Sequence, residues 1–110
     1  MEVHPGVFVS DPGSRRWEPT PDYPGTEFHA LVETDELHAG LFRVPEEGSM
    51  TFPWAPPSRE TVLVLEGEVR IEIKGGPTLL LEPGSMASFA SGTEMTWHVK
   101  APFKDAYVIA

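Results

Sequence analysis

The sequence predicts an all-β domain, and three observations favour that class. From residue 27 onward, apolar and polar residues alternate in short runs, and this period of two is typical of β-strands. The 10 glycines and 12 prolines separate many of these runs and predict frequent turns. We find no segment whose spacing predicts a helix. Because an all-β chain must close or double its sheets to protect their edges, we expect a sandwich or a barrel.

The chain divides into a predicted arm, residues 1–26, and a single predicted barrel domain, residues 27–110. Prolines and glycines concentrate between residues 11 and 25, where they remove backbone donors and interrupt regular structure. Trp17 and Tyr23 are the residues of the arm best suited to pin it to the barrel or to a second subunit.

The predicted strands after the arm are bounded by turn signals. Residues 69–74 alternate most cleanly, with Val69, Ile71 and Ile73 on one face, as in a strand half-buried on a core. Residues 45–48 predict a turn, and residues 66–68 predict a tight reversal because Gly67 can adopt a positive φ. The predicted strands are 27–32, 37–44, 61–65, 69–74, 78–81, 86–89, 93–100 and 104–110.

Length and charge exclude several classes of protein. A chain of 110 residues is long enough for one hydrophobic core and too short for a two-domain enzyme. Acidic residues outnumber basic residues 17 to 8, and the net charge of -9 repels phosphate backbones and anionic lipids. We therefore expect neither nucleic acid nor a membrane surface as a partner.

The residue inventory also limits the chemistry. The chain contains no cysteine, so a metal site would depend on histidine and carboxylate ligands. No run approaches the ~18 apolar residues of a membrane span, and the first residues lack the pattern of a signal peptide. We expect a cytoplasmic protein.

Two spaced motifs make the fold prediction more specific. Gly48, Trp54, Pro56, Glu60 and Gly67 follow the spacing Gly-x5-His-x-His-x3/4-Glu-x6-Gly, with both histidines replaced. A second set follows Gly-x5-Pro-x-Gly-x2-His-x3-Asn, keeps both glycines and replaces the other three residues. Its members are Gly84, Ala90, Gly92, Met95 and Val99.

These motifs resemble those of the cupin superfamily, whose RmlC-like fold is a double-stranded β-helix or jelly-roll barrel. An aromatic residue at the first ligand position, the run 62–67 and Trp97 resemble the small cupins related to ureidoglycine aminohydrolase and to ethanolamine-utilisation proteins. The resemblance implies a jelly-roll barrel, often a homodimer, with a ligand or metal pocket inside.

The replaced positions argue against a tightly bound metal. Three imidazoles and a carboxylate hold the divalent ion in metal-binding cupins, whereas Trp54, Pro56 and Met95 supply no comparable ligand. Glu60 alone remains, and catalytic zinc typically keeps about three protein ligands. His98 should point away from the barrel by strand parity, while parity decides nothing for His29 or His38. We therefore expect no cofactor, with a divalent metal as the alternative.

Glu60 is the candidate catalytic residue, because its position should direct it into an apolar cavity where burial raises the pKa of a carboxyl. It is a candidate general acid or base, or an anchor for a ligand amine or hydroxyl, with Arg43 a conceivable partner. The alternative is a structural carboxylate bonded to backbone amides or to a tryptophan N–H. Phe52, Trp54, Met95 and Trp97 complete the predicted ligand pocket, unless they simply fill the barrel.

The sequence leaves several functions open. The first is a metal-free protein that binds a small molecule, and the second is a metal-dependent hydrolase of a small nitrogenous metabolite, as the ureidoglycine aminohydrolase resemblance implies. A metal-independent isomerase or lyase would need a histidine base and a tyrosine acid that the motifs do not supply. A dimerisation or regulatory module without a ligand is the remaining alternative.

Overall fold

The computed structural model describes residues 1–11, 13 and 17–110, and in these residues the chain forms nine strands and no helix. The predicted all-β class is confirmed. The strands are β1 (Glu2–His4), β2 (Val7–Phe8), β3 (Glu18–Pro19), β4 (Glu27–Glu33), β5 (His38–Trp54), β6 (Glu60–Ile73), β7 (Thr78–Leu81), β8 (Met86–Phe89) and β9 (Met95–Ile109).

Three long antiparallel strands, β5, β9 and β6, form the centre of the main sheet. The sheet has the order β3-β4-β5-β9-β6-β7, and β8 lies beside β6. β9 therefore has β5 along one edge and β6 along the other for most of its length. A separate two-stranded sheet joins β1 to β2. Residues 12 and 14–16 of the predicted arm lie outside the described residues.

The two halves of the long strands face each other across the interior. Phe42 and Phe52 lie in different halves of β5, yet their ring centroids are 6.1 Å apart. Phe89 lies on a strand that pairs with the first half of β6, and its ring is 6.5 Å from that of Trp97 in the first half of β9. The sheet therefore curls back on itself and encloses a core.

Alternation along the strands fills that core as the sequence predicts. Val69 and Ile71 are fully buried, and the inward parity of Met95, Trp97 and Val99 is confirmed. Each inward side chain packs against the facing half of the sheet and loses apolar surface to water, which is the main stabilising contribution to such a barrel.

The turn predicted at residues 45–48 is wrong, because β5 continues through it. Val44 pairs with Phe103 and Gly48 pairs with Ala101, so three residues of β5 lie opposite a single residue of β9. Pro45 and Gly48 therefore lie at an irregularity within the continuous strand β5 and do not end the strand.

The reversal predicted at residues 66–68 is also wrong. Both flanks of Gly67 pair with β9, since Glu66 lies opposite Lys104 and Glu68 lies opposite Lys100. Gly67 does adopt a positive φ of 76°, as predicted, but it forms a bulge that bends β6 instead of a hairpin loop.

The two runs predicted at 93–100 and 104–110 are one strand, β9, because its pairing with β5 and β6 continues on both sides of Pro102. The strands predicted at 78–81 and 86–89 are confirmed as β7 and β8. Among the described residues there is no helix long and apolar enough to cross a membrane.

Candidate functional site

The barrel contains a cavity of about 340 Å³ that its own side chains leave unfilled. Half of the 14 described residues that line it are aromatic, and none of the 14 is a lysine or an arginine; the aromatic ones are Tyr23, Phe28, Phe42, Phe52, Trp54, Trp97 and Tyr107. Three carboxyl groups also line the cavity, those of Glu33, Glu60 and Asp105. The cavity is therefore apolar over most of its area and acidic in its polar part.

Glu60 begins β6 and points into the cavity, where 7% of its surface remains exposed. The indole nitrogen of Trp54 donates a hydrogen bond to Oε1 of Glu60 over 2.6 Å. Burial raises the pKa of Glu60, and the Trp54 hydrogen bond opposes part of that rise because it stabilises the charged form. The motif thus replaces a metal ligand with a donor that bonds the remaining carboxylate.

Asp105 is a second buried acid on the wall, and it is not among the site residues predicted from the sequence. It lies on β9 between Phe42 of β5 and Val64 of β6, and only 2% of its surface is exposed. Its Oδ1 atom is buried without a hydrogen-bond partner among the described residues. Burial raises the pKa of Asp105 well above its usual range, and the nearby charge of Glu60 raises it further.

The alternation of residues along β9 indicates that the side chain of Asp105 points inward. Phe103, Tyr107 and Ile109 share its parity, and Tyr107 and Ile109 also line the cavity. An aspartate at an inward position between two aromatic residues is a buried acid by strand geometry alone. Treating the last run as a separate short strand hid this relation to the motif residues.

Tyr107, Glu33 and His38 extend the polar part of the wall. Burial and, to a lesser extent, the charges of Glu33, Asp105 and Glu60 together raise the pKa of Tyr107 to about 12. Glu33 and His38 pair across β4 and β5, and both are exposed. The sequence left His38 undecided, and the structure places it on the cavity wall.

Four of the five residues in the predicted ligand pocket lie together on this wall, namely Phe52, Trp54, Glu60 and Trp97. The rings of Phe52 and Trp97 stack with centroids 5.9 Å apart. Met95, the fifth, does not line the cavity; it is buried in the hydrophobic core, with 4% of its surface exposed. Trp97 also buries an indole nitrogen that has no described hydrogen-bond partner.

Other ionisable residues considered from the sequence lie away from the cavity. Arg43 forms an ion pair with Glu27 at 2.8 Å and stacks over Trp17, so it does not partner Glu60. His29 is buried with its ring 5.7 Å from that of Trp17. His98 contacts Thr51 through Nδ1 at 3.1 Å, on the outward parity that the sequence predicts.

The residues present do not fit the divalent ion that metal-binding cupins hold. The indole of Trp54 donates a hydrogen bond to Glu60 where an imidazole would coordinate the ion, and the thioether of Met95 lies in the core. Pro56 has no donor atom in its side chain. Among the described residues no group of three or more histidine, aspartate or glutamate side chains is arranged to hold a metal.

Solved structures share this fold. One, from Salmonella typhimurium LT2 and provisionally described as ethanolamine utilization protein Q, has a TM-score of 0.77 at 22% identity, over 99% of this chain and 89% of that one. An RmlC-like cupin from Shewanella frigidimarina NCIMB 400 has a TM-score of 0.74 at 15% identity, over 91% and 86%. A protein from Ralstonia eutropha JMP134, provisionally described as a mannose-6-phosphate isomerase, has a TM-score of 0.67 at 19% identity, over 84% and 90%.

The barrel, its antiparallel order and these likenesses define a jelly-roll fold. The family model for the EutQ-like cupin domain matches residues 46–107, more than half of the chain, and the chain belongs to that family. No curated protein matches the chain. The resemblance to ureidoglycine aminohydrolase therefore stays a prediction.

Proposed function

We propose that this cupin binds a small organic molecule in the barrel cavity without a tightly bound metal. The observation that carries the proposal is the cavity itself, about 340 Å³ of space lined by aromatic rings and three carboxyl groups. Ligand pockets commonly enclose about 300–1,000 Å³, with mostly apolar walls and a few polar groups. A barrel that served only as a module would gain stability by filling this space with its own side chains.

Glu60 is the proposed polar anchor of the ligand. Its Oε1 atom accepts the Trp54 hydrogen bond, which fixes the orientation of the carboxyl group. No described residue donates a hydrogen bond to the other oxygen, so a ligand amine or hydroxyl can do so. The stacked rings of Phe52 and Trp97 supply an apolar surface for a flat ligand body.

The absence of a tight metal is part of the proposal, and the chemistry of the former ligand positions supports it. An indole N–H competes with a cation for the same carboxylate oxygen, so the Trp54 bond to Glu60 disfavours coordination there. Dimerisation and a cytoplasmic location stay predictions.

A thermal-shift screen of small metabolites, run with and without EDTA, tests the proposal. Any compound that binds only the native state raises the unfolding temperature. We expect at least one compound to stabilise the wild type equally with and without EDTA, and to stabilise Glu60→Gln less. Glu66→Gln is the matched control, since Glu66 lies on the same strand with an exposed side chain.

Two results would replace this function with another. No stabilisation by any compound of a broad library would favour a dimerisation or regulatory module. Near-stoichiometric manganese, iron, nickel or zinc in the purified protein, lost in Glu60→Gln, would favour the metal-dependent hydrolase.

A further inference from the structure

Asp105 has a feature that packing does not explain. Its carboxyl group is almost fully buried, lines the cavity, and leaves Oδ1 without a hydrogen-bond partner among the described residues. A buried acceptor without a partner destabilises the folded state, because it has lost its hydrogen bonds to water and gained none in return. A ligand that donates a hydrogen bond to Oδ1 would remove that cost.

The acidic side chains of the described wall favour a ligand whose hydrogen-bond donor is positively charged. Glu60, Asp105 and Glu33 line the cavity, and no lysine or arginine lines it. Glu60 and Asp105 lie close enough for the charge of one to disfavour the charge of the other. Arg43, on the adjoining strand β5, pairs with Glu27 and stacks over Trp17, and it does not line the cavity. The described lining therefore offers no lysine or arginine to balance the charge of an acid that ionises there.

We infer that Asp105 and Glu60 together bind the ammonium group of a compact organic cation, with Asp105 as a second ligand-binding residue. The inference rests on the proposed function and assigns the chemical class of its ligand. A primary ammonium group has three N–H donors, enough to reach one oxygen of each carboxyl group. Hydrogen bonds between charged partners are about twice as strong as neutral ones.

The aromatic residues beside the two acids fit the same ligand. Phe42 lies directly opposite Asp105 in the β5–β9 register, and its ring is 6.1 Å from that of Phe52. Ring faces attract cations, and the same rings pack against the apolar body of an organic amine. A small inorganic cation would leave most of this apolar wall without a contact.

Ligand binding should also release a proton. In the empty cavity, burial and mutual repulsion favour the protonated form of Asp105, and an ammonium group would favour the charged form. The other titratable groups that face the site are Tyr107 on the same strand, Glu33 on β4 and His38 on β5. A neutral ligand of the same shape would release no proton.

Isothermal titration with matched probes tests the inference. The probes are 2-phenylethylamine, the neutral 2-phenylethanol and the anionic 3-phenylpropionate. We expect the amine to bind at least about tenfold more tightly than the alcohol, as one charge-assisted hydrogen bond implies. Titrations of the amine in buffers of different ionisation enthalpy should reveal proton release, and the apparent affinity should rise with pH through the range in which Asp105 loses its proton.

Asp105→Asn keeps the shape of the side chain and removes its charge. It should weaken binding of the amine by about tenfold or more and change binding of the alcohol by less than about twofold. Glu72→Gln, at an exposed acid on the outward face of β6, should leave both affinities unchanged. If Asp105→Asn does not fold, two other measurements test the inference. Glu60→Gln should weaken binding of the amine more than binding of the alcohol, and the wild type should release a proton when it binds the amine.

Alcohol or carboxylate binding as tight as that of the amine would overturn the inference while leaving the proposed function intact. Amine binding without proton release, or with full affinity in Asp105→Asn, would remove Asp105 from the site. No binding of the amine at millimolar concentration would also overturn the inference, and the wider screen above would then decide the proposed function separately.

Discussion

At the scale of single residues, the two buried acids of the cavity lower the stability of the barrel. Asp105 and Glu60 lose most of their contact with water on folding, and one hydrogen bond from Trp54 compensates in part. Burial without full compensation disfavours the charged form of a carboxyl group. Its pKa therefore rises, and the group tends to take up a proton. Such groups are typical of functional sites, because packing alone would select an apolar residue at the same position.

The stability of the protein should therefore depend on pH through Asp105. The pKa of this group is higher in the folded chain than its usual value of 3.8, so the folded chain binds more protons between those two values. The contribution of Asp105 to the free energy of unfolding is therefore fully present below its pKa in the unfolded chain. It is lost as the pH rises through its pKa in the folded chain. Glu60 acts in the same direction, since its pKa is also raised.

We expect Asp105→Asn to stabilise the protein by about 1–3 kcal/mol near pH 8 and by less near pH 4, because the amide cannot ionise. Urea unfolding at both pH values measures the difference. Asp35→Asn is the matched control, since Asp35 lies in the exposed connection before β5. A stability gain that is equal at both pH values, or a loss that grows with pH, would contradict the raised pKa of Asp105.

At the scale of elements, the long bent strands depend on glycine at particular positions. A Cβ atom added to Gly67 would lie 2.3 Å from the carbonyl oxygen of Pro102, far inside a normal contact. The backbone there also has a φ of 76°, which L-residues adopt at a cost of about 1–2 kcal/mol. Gly67 thus allows β6 to bulge against the backbone of β9, where an added side chain would not fit.

Gly67→Ala should lower the free energy of unfolding by about 3–5 kcal/mol, since it combines a backbone clash with an unfavourable φ. Gly84→Ala isolates the second effect, because Gly84 has a φ of 92° and no atom lies within 4 Å of its added Cβ. We expect Gly84→Ala to cost only about 1–2 kcal/mol. Equal losses in the two variants, measured by urea unfolding, would show that the close approach at Gly67 is unimportant.

The same glycine explains which parts of the fold the sequence could predict. Period-two alternation identified residues 69–74 as part of a strand, and motif spacing placed Glu60 and Trp54 in the same pocket. A glycine with positive φ, however, is compatible with both a turn and a bulge. Only the partner strand distinguishes the two, and pairing with β9 over long sequence separations is not encoded in the local pattern around Gly67.

The candidate site was predicted to a similar extent. Motif spacing and strand parity identified Phe52, Trp54, Glu60 and Trp97 as wall residues. Met95 shares the parity of Trp97, but it packs into the core and does not line the cavity. Parity gives the direction of a side chain and does not show whether the space in front of it is open or filled, so it could not separate a residue of the cavity wall from a residue of the core.

At the scale of the whole molecule, the chain encloses space that its side chains leave open, and it surrounds that space with acids and aromatic rings. The acids of the cavity favour a cation, and the net charge of -9 favours cations over the protein as a whole. An acidic surface raises the local concentration of cations and lowers that of anions. This charge favours an approaching ammonium compound over a phosphate or a carboxylate.

A crystal structure of the protein soaked with the compound that stabilises it most in the screen is the most direct test of the central claim. We predict electron density for the compound inside the barrel, with its body against Phe52 and Trp97 and a polar atom within hydrogen-bond distance of Glu60. Density only on the outer surface, or a metal ion coordinated by Glu60, would contradict it.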